Sequence, residues 1–161
     1  MNKHQFSVVD EDIPEELYRQ IQQLVPILCV DVVVVGKDKT GERMFLLLRR
    51  GNEPEKDMWW FPGGRVYKNE KLRDAAMRKV KTETGLASSS LRRLGLYEYF
   101  SPVGYYENSN THTPVVVFLA EVSMIVEITI DSQSTDNKWF TAVDQQWHPY
   151  IKRFLRKAGF R

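Results

Sequence analysis

Residues 61–86, FPGGRVYKNEKLRDAAMRKVKTETGL, constrain the fold more than any other part of the chain. A glycine pair ends an extended piece, and a helical pattern runs from Asn69 to about Thr84. Leu72, Ala76, Met77 and Val80 form its apolar arc, and Gly85 stands where a helix C-cap glycine would. Two adjacent glycines let the backbone turn sharply and approach a ligand closely. They also leave the Gly63 carbonyl able to face a cation, and Arg65 just beyond offers a planar fork that matches phosphate oxygens. Taken alone, the Pro-Gly-Gly run reads as a plain tight turn. On the helix, Lys79 precedes Glu83 by one turn, so the two share an arc beside the apolar one. A loop carboxylate, Glu70, and a helix arginine, Arg78, are spaced to pair and to hold the loop in shape.

The flanking segments read as strands. ILCVDVVVVG and RMFLLLRR are β-rich runs separated by the turn signal KDKTGE, which predicts a hairpin. RRLGLYEYFS, PVVVFLAEVSMIVEITI and NKWFTA supply further strand material, with the polar loop PVGYYENSNTHT between the first two. VDQQWHPYIKRFLRKAG contains a closing helix that takes in His148, with Ile151, Phe154 and Leu155 at helical spacing. The order implies an α/β fold with a mixed sheet. At 161 residues a single domain spanning 1–161 is expected, with a short helical extension over about 1–24 that starts at Pro14.

Composition excludes several classes of function. With 23 basic and 21 acidic residues the net charge is only +2, so no nucleic-acid partner is expected. The run around Cys29 is too short to cross a bilayer and is interrupted by Asp31. The first residues lack the apolar core and cleavage site of a signal peptide. No membrane partner and a cytoplasmic location are therefore expected. The lone cysteine forms no disulfide within the chain and reads as a buried strand residue.

The order of Gly64, five residues, Glu70, seven residues, Arg78, one residue, Val80, two residues, Glu83, one residue, Gly85 and Leu86 resembles the Nudix box, matching seven of nine fixed points over 23 positions. That resemblance implies an α/β/α sandwich with a mixed β-sheet that hydrolyses nucleoside diphosphates linked to another moiety, generally with magnesium. Two box glutamates are replaced, by Lys79 and Thr82. From about Val25 to Ala142 the chain is similar to the GDP-mannose mannosyl hydrolase subgroup, which also lacks those two carboxylates. The similarity rests on VPILCVDVVVV, on RRGNEPEKDMWWFPGGRVYKNEKL and on the later KWFT.

The subgroup resemblance implies one Mg2+ ion, with Mn2+ as a substitute, held by the Gly63 carbonyl, Glu83, Gln133 and the substrate's diphosphate. Arg65 would steady the departing diphosphate, and Asp31 would face the site. Attack would fall on the sugar's anomeric carbon and release nucleoside diphosphate and sugar. The subgroup's histidine base aligns with Ser134, which leaves Asp136 and His112 as candidate bases. The subgroup's arginine before Pro54 is replaced by Glu53. Trp59, Tyr105 and Tyr106 are candidate substrate contacts, although core packing claims at least one aromatic of Trp59, Trp60 and Phe61. A homodimer is compatible with the resemblance. Two alternatives stay open: ordinary attack on phosphorus, and a nucleotide-binding module in which Lys79 pairs with Glu83 in place of a metal.

Overall fold

The structure, a computed structural model, describes residues 6–88, 90–123, 125 and 127–161. In chain order the elements are α1 (Glu15–Leu24), β1 (Cys29–Lys37), β2 (Arg43–Arg50), β3 (Trp59–Trp60), β4 (Gly63–Arg65), α2 (Leu72–Thr84), β5 (Ser90–Ser101), β6 (Thr111–Glu121), β7 (Ser134–Phe140) and α3 (Pro149–Lys157). The strands form one mixed sheet, ordered β3-β2-β1-β6-β5, with β4 paired to β1 and β7 to β2. β1 and β6 run parallel in the register Asp31↔Val117, and the other pairings are antiparallel.

β1 is an uninterrupted apolar run, apart from Asp31, because it is covered on both faces. Strand alternation sends Val33 and Val35 to a core with Ile151 and Phe154 of α3. Val30, Val32 and Val34 go to a second core with Ala75, Ala76 and Val80 of α2. The sheet is thus the middle layer of an α/β/α sandwich. The same alternation puts Asp31 on the α3 side. Because β1 is an interior strand, Asp31 does not sit on a sheet edge facing water.

A fork in the sheet makes room for the site. β2 pairs with Val34–Lys37 of β1, and β4 takes over at Cys29–Asp31. Between them the Val32 N–H donates to the Pro62 carbonyl at 2.9 Å. The C-terminal end of β2, the short strand β3 and the glycine turn therefore surround the start of β1.

Three sequence expectations shift. Met77 is 45% exposed while Ala75 is fully buried. The buried stripe runs through Ala75, Ala76, Val80 and Glu83, and Met77 lies about 100° further round from Ala76. The strand expected to continue to Ile130 ends at Glu121, with Met124 and Val126 outside the described residues. It also starts earlier, at Thr111, taking three residues from the polar loop. His148 caps α3 instead of lying within it, its Nδ1 accepting the Tyr150 N–H at 3.2 Å. His4 lies outside the described residues.

Candidate functional site

The glycine turn is shaped by its neighbours. A Cβ at Gly63 would overlap Asp31 Oδ1 and the Val30 carbonyl. Gly64 adopts φ +151°, which side chains rarely take, and a Cβ there would stand 2.9 Å from Lys79 Cε. Behind the turn, α2 ends at Gly85 in the left-handed region, its N–H donating to the Lys81 carbonyl at 2.9 Å. That final turn presents Glu83, 6% exposed. Its Oε2 accepts the Gly63 N–H at 2.9 Å, and its Oε1 pairs with the Lys79 ammonium. Burial pushes the Glu83 carboxyl above its ordinary range, while Lys79 and the Gly63 N–H pull it back.

The loop between the turn and α2 is locked by a two-pronged bond. Arg78 Nε and Nη2 donate to the two oxygens of Glu70 at 2.6 and 2.7 Å. Nη2 also donates to the Arg65 carbonyl at 3.1 Å, and Glu70 accepts the Tyr67 N–H at 3.0 Å. The guanidinium lies 3.8 Å from the Tyr67 ring centroid. Arg65 is thereby held in place through its own backbone. Its side chain lies between Tyr18 and Tyr67, 5.5 and 5.1 Å from their centroids, and makes no ion pair among the described residues.

These groups border a cleft of about 460 Å3. Asp31, Gly63, Arg65, Tyr105, Tyr106, His112 and Gln133 all line it, whereas Glu83 is not among its lining residues and lies behind Gly63, whose N–H it accepts. Asp31, 7% exposed, accepts the Tyr150 hydroxyl at 2.7 Å. Burial pushes its carboxyl up to about 7, with Glu83 adding to the rise and Tyr150 and Arg50 opposing it. His112 stacks on Phe100 at 4.3 Å, with its Nε2 3.8 Å from Glu98. Tyr105 and Tyr106 meet edge to face at 5.0 Å, and a shallower groove of about 600 Å3 adjoins the cleft past them and Glu53.

Two candidates sit elsewhere. Trp59 turns its ring onto Phe140, 5.2 Å away, and packs on the α3-side core, while Trp60 lines the cleft in its place. Asp136 is exposed on β7 opposite Arg49, where its carboxylate accepts the Asn137 N–H at 2.7 Å. It is not among the residues that line the cleft, because β7 pairs with the edge of β2 opposite β1 and β3.

Several cleft residues had no role in the sequence reading. Arg50 ends β2 with its guanidinium 5.7 Å from the Trp60 centroid, and its buried Nε has no hydrogen-bond partner among the described residues. Tyr99 donates to Glu55 at 2.7 Å within the cleft wall. Tyr18, from α1, stands 6.4 Å from Tyr106, so the N-terminal helix forms part of the wall. A charged residue closing an apolar strand was a usable signal for Arg50. No local pattern marks Tyr18 or Tyr99.

The donors suit one cation and not several. Among the described residues no three His, Cys, Asp or Glu side chains gather into a metal cluster. Glu83 nevertheless already holds a cation, the Lys79 ammonium, at Oε1. The site is therefore built for positive charge at that oxygen. A single ion with one carboxylate, the Gly63 carbonyl and the Gln133 amide, completed by substrate phosphate and water, fits this set once Lys79 is drawn aside.

Asp31 carries a prediction for stability. An unfolded aspartate ionises near 3.8 and the folded one near 7, so between these values the folded state keeps a proton that the unfolded state has lost. Stability from this group is therefore full at low pH and is lost as pH rises through about 7. Asp31→Asn should melt higher than the parent protein at pH 8, with the two curves converging near pH 4. Parallel melting curves across that range would contradict the buried, protonated Asp31.

The sandwich, the glycine turn and the Glu70–Arg78 lock define a Nudix-type fold and box. A family model described as NUDIX domain matches residues 26–158, and the chain belongs to the NUDIX domain family, that of the Nudix hydrolases. It is 33% identical over 145 residues to the low-salt glycan biosynthesis protein Agl8 of Haloferax volcanii, covering 89% of this chain and 88% of that one. A MutT NUDIX hydrolase from Burkholderia pseudomallei superposes with a TM-score of 0.66 at 22% identity, over 83% of this chain and 98% of that one. The NUDIX domain of Shewanella oneidensis NrtR, solved with ADP ribose, gives 0.61 at 20% identity, over 89% and 88%. At these identities the two structures show a shared fold. Among the described residues no helix is long and apolar enough to cross a membrane.

Proposed function

We propose that the protein hydrolyses a nucleotide-sugar at the sugar's anomeric carbon, releasing a nucleoside diphosphate and the free sugar, with GDP-mannose as the reference substrate. The observation that carries this is Lys79 standing where the box has a glutamate, paired with Glu83 beside a cleft that Arg50 and Arg65 also line, with Asp12, Asp31, Glu53 and Glu55 elsewhere in its wall. Lys79, paired with Glu83, lines the cleft together with Arg65, and Arg50 lines it from β2. Such a floor suits gripping a diphosphate as negative charge gathers on it. Its carboxylates are dispersed, no three His, Cys, Asp or Glu side chains among the described residues being gathered to hold several ions around a phosphorus centre. The relative named for glycan biosynthesis supports a sugar-linked substrate.

Nudix hydrolases generally use divalent metals, and here magnesium would be held by Glu83, the Gly63 carbonyl and Gln133. Bound there, it would offset charge on the departing diphosphate. Arg65 and Arg50 bind phosphate oxygens in planar forks. Asp31, with a carboxyl near 7, can take a proton from water at neutral pH, and His112 is the second candidate for that task. Trp60 and the Tyr105–Tyr106 pair offer aromatic faces to base or sugar.

Incubation with magnesium and GDP-, UDP- and ADP-linked sugars, followed by chromatography of the nucleotide, tests this reading. Nucleoside diphosphate is the expected product. Monophosphate would mean attack on phosphorus. The Lys79–Glu83 pair favours a competing reading, a nucleotide-binding module without turnover, and that reading predicts no product from any of them.

A further inference from the structure

Lys79 is not an ordinary surface lysine of α2. Its side chain is 13% exposed and its ammonium contacts Glu83 Oε1. It runs close beneath the glycine turn, where a Cβ at Gly64 would stand 2.9 Å from its Cε and 3.1 Å from its Nζ. The bare Gly64 backbone thus leaves the channel that the lysine fills. An exposed i,i+4 pair adds only about 0.2–0.5 kcal/mol to a helix, but a pair shielded from water interacts more strongly. Lys79 also lines the cleft, together with Arg50 and Arg65.

We propose that Lys79 is the resting cation of this site: it neutralises Glu83 in the free protein, contributes to holding a nucleotide's diphosphate without any divalent ion, and must leave Glu83 for an ion to enter. The proposal rests on the reading of the cleft as a nucleoside diphosphate site. A divalent ion arriving alone must displace a packed ammonium and gains a single carboxylate, a poor exchange for an ion that dehydrates reluctantly. A nucleotide changes the balance, because its phosphate oxygens give Lys79 a new partner and give the ion further ligands. Ion and nucleotide then support each other's binding, and by linkage the effect is equal in both directions.

Calorimetry of the whole chain separates these terms, with GDP and ADP in the presence of EDTA as nucleotide probes and Mn2+ alone as the ion probe. The parent protein should bind at least one of the two nucleotides in EDTA and bind Mn2+ alone weakly. Lys79→Met should lose about tenfold in nucleotide affinity in EDTA, the scale of one charge-assisted contact. It should also gain about tenfold for Mn2+ alone, because Glu83 is released. Glu83→Gln, which keeps the lysine, should still bind nucleotide in EDTA and provides the same test should Lys79→Met fail to fold. The proposal is overturned if the parent binds nucleotide only with Mn2+, if Lys79→Met binds Mn2+ no more tightly, or if Glu83→Gln loses nucleotide in EDTA. Failure of the hydrolytic reading shows separately, as absent product, whatever these titrations give.

Discussion

Glu83→Gln is expected to lower kcat with magnesium by about a hundredfold or more, the scale found when one preorganised group at a developing charge is removed. The substitution changes little else. Gln can still accept the Gly63 N–H that Glu83 Oε2 accepts at 2.9 Å, so the turn keeps its anchor. What disappears is the one box carboxylate that faces the turn, together with its hold on Lys79. Burial disfavours the charged form of Glu83, but Gln leaves the buried Lys79 ammonium without its charged partner, so a lower melting temperature is expected. A variant with full activity would remove Glu83 from the reaction. A variant that fails only because it unfolds would show that the Lys79 pair is structural.

The second large effect is expected at the loop lock. Glu70→Ala removes both oxygens that Arg78 grips at 2.6 and 2.7 Å, and also the acceptor of the Tyr67 N–H. Breaking a buried pair by deleting one partner costs about 3–5 kcal/mol. The Arg78 side chain is 24% exposed, against 5% for Glu70, so water relieves part of this and about 2–3 kcal/mol is expected. Activity should fall as well, because Arg78 holds the Arg65 backbone at 3.1 Å and Arg65 reaches into the cleft. Denaturant melts and KM for the nucleotide-sugar measure the two losses. Unchanged stability would show that the fork is ornamental.

Legibility in the sequence followed the range of the interactions. The β1–β2 hairpin was readable because its apolar runs and turn are contiguous, and the end of α2 was readable from Gly85. Met77 was misplaced because helical spacing alone does not say which arc meets the sheet, and Ala75 is too small to announce itself. The parallel pairing of Asp31 with Val117 joins segments with no local signature in common. That pairing makes β1 interior and buries its one aspartate. Trp59 and Trp60 are adjacent and chemically alike, so only the placement of Phe140 and of the cleft separates them. Arg50 gains its position from the fork between β2 and β4, which no window of sequence contains.

Hydrolysis in H2(18)O, with magnesium and the nucleotide-sugar that turns over fastest, tests the central claim most directly. Mass spectrometry of both products shows where the solvent oxygen went. Attack at the anomeric carbon places the label in the sugar's new hydroxyl and leaves the nucleoside diphosphate unlabelled. Label on a phosphate would contradict the account, because water would then have attacked phosphorus at a glycine turn that a single box carboxylate, Glu83, contacts.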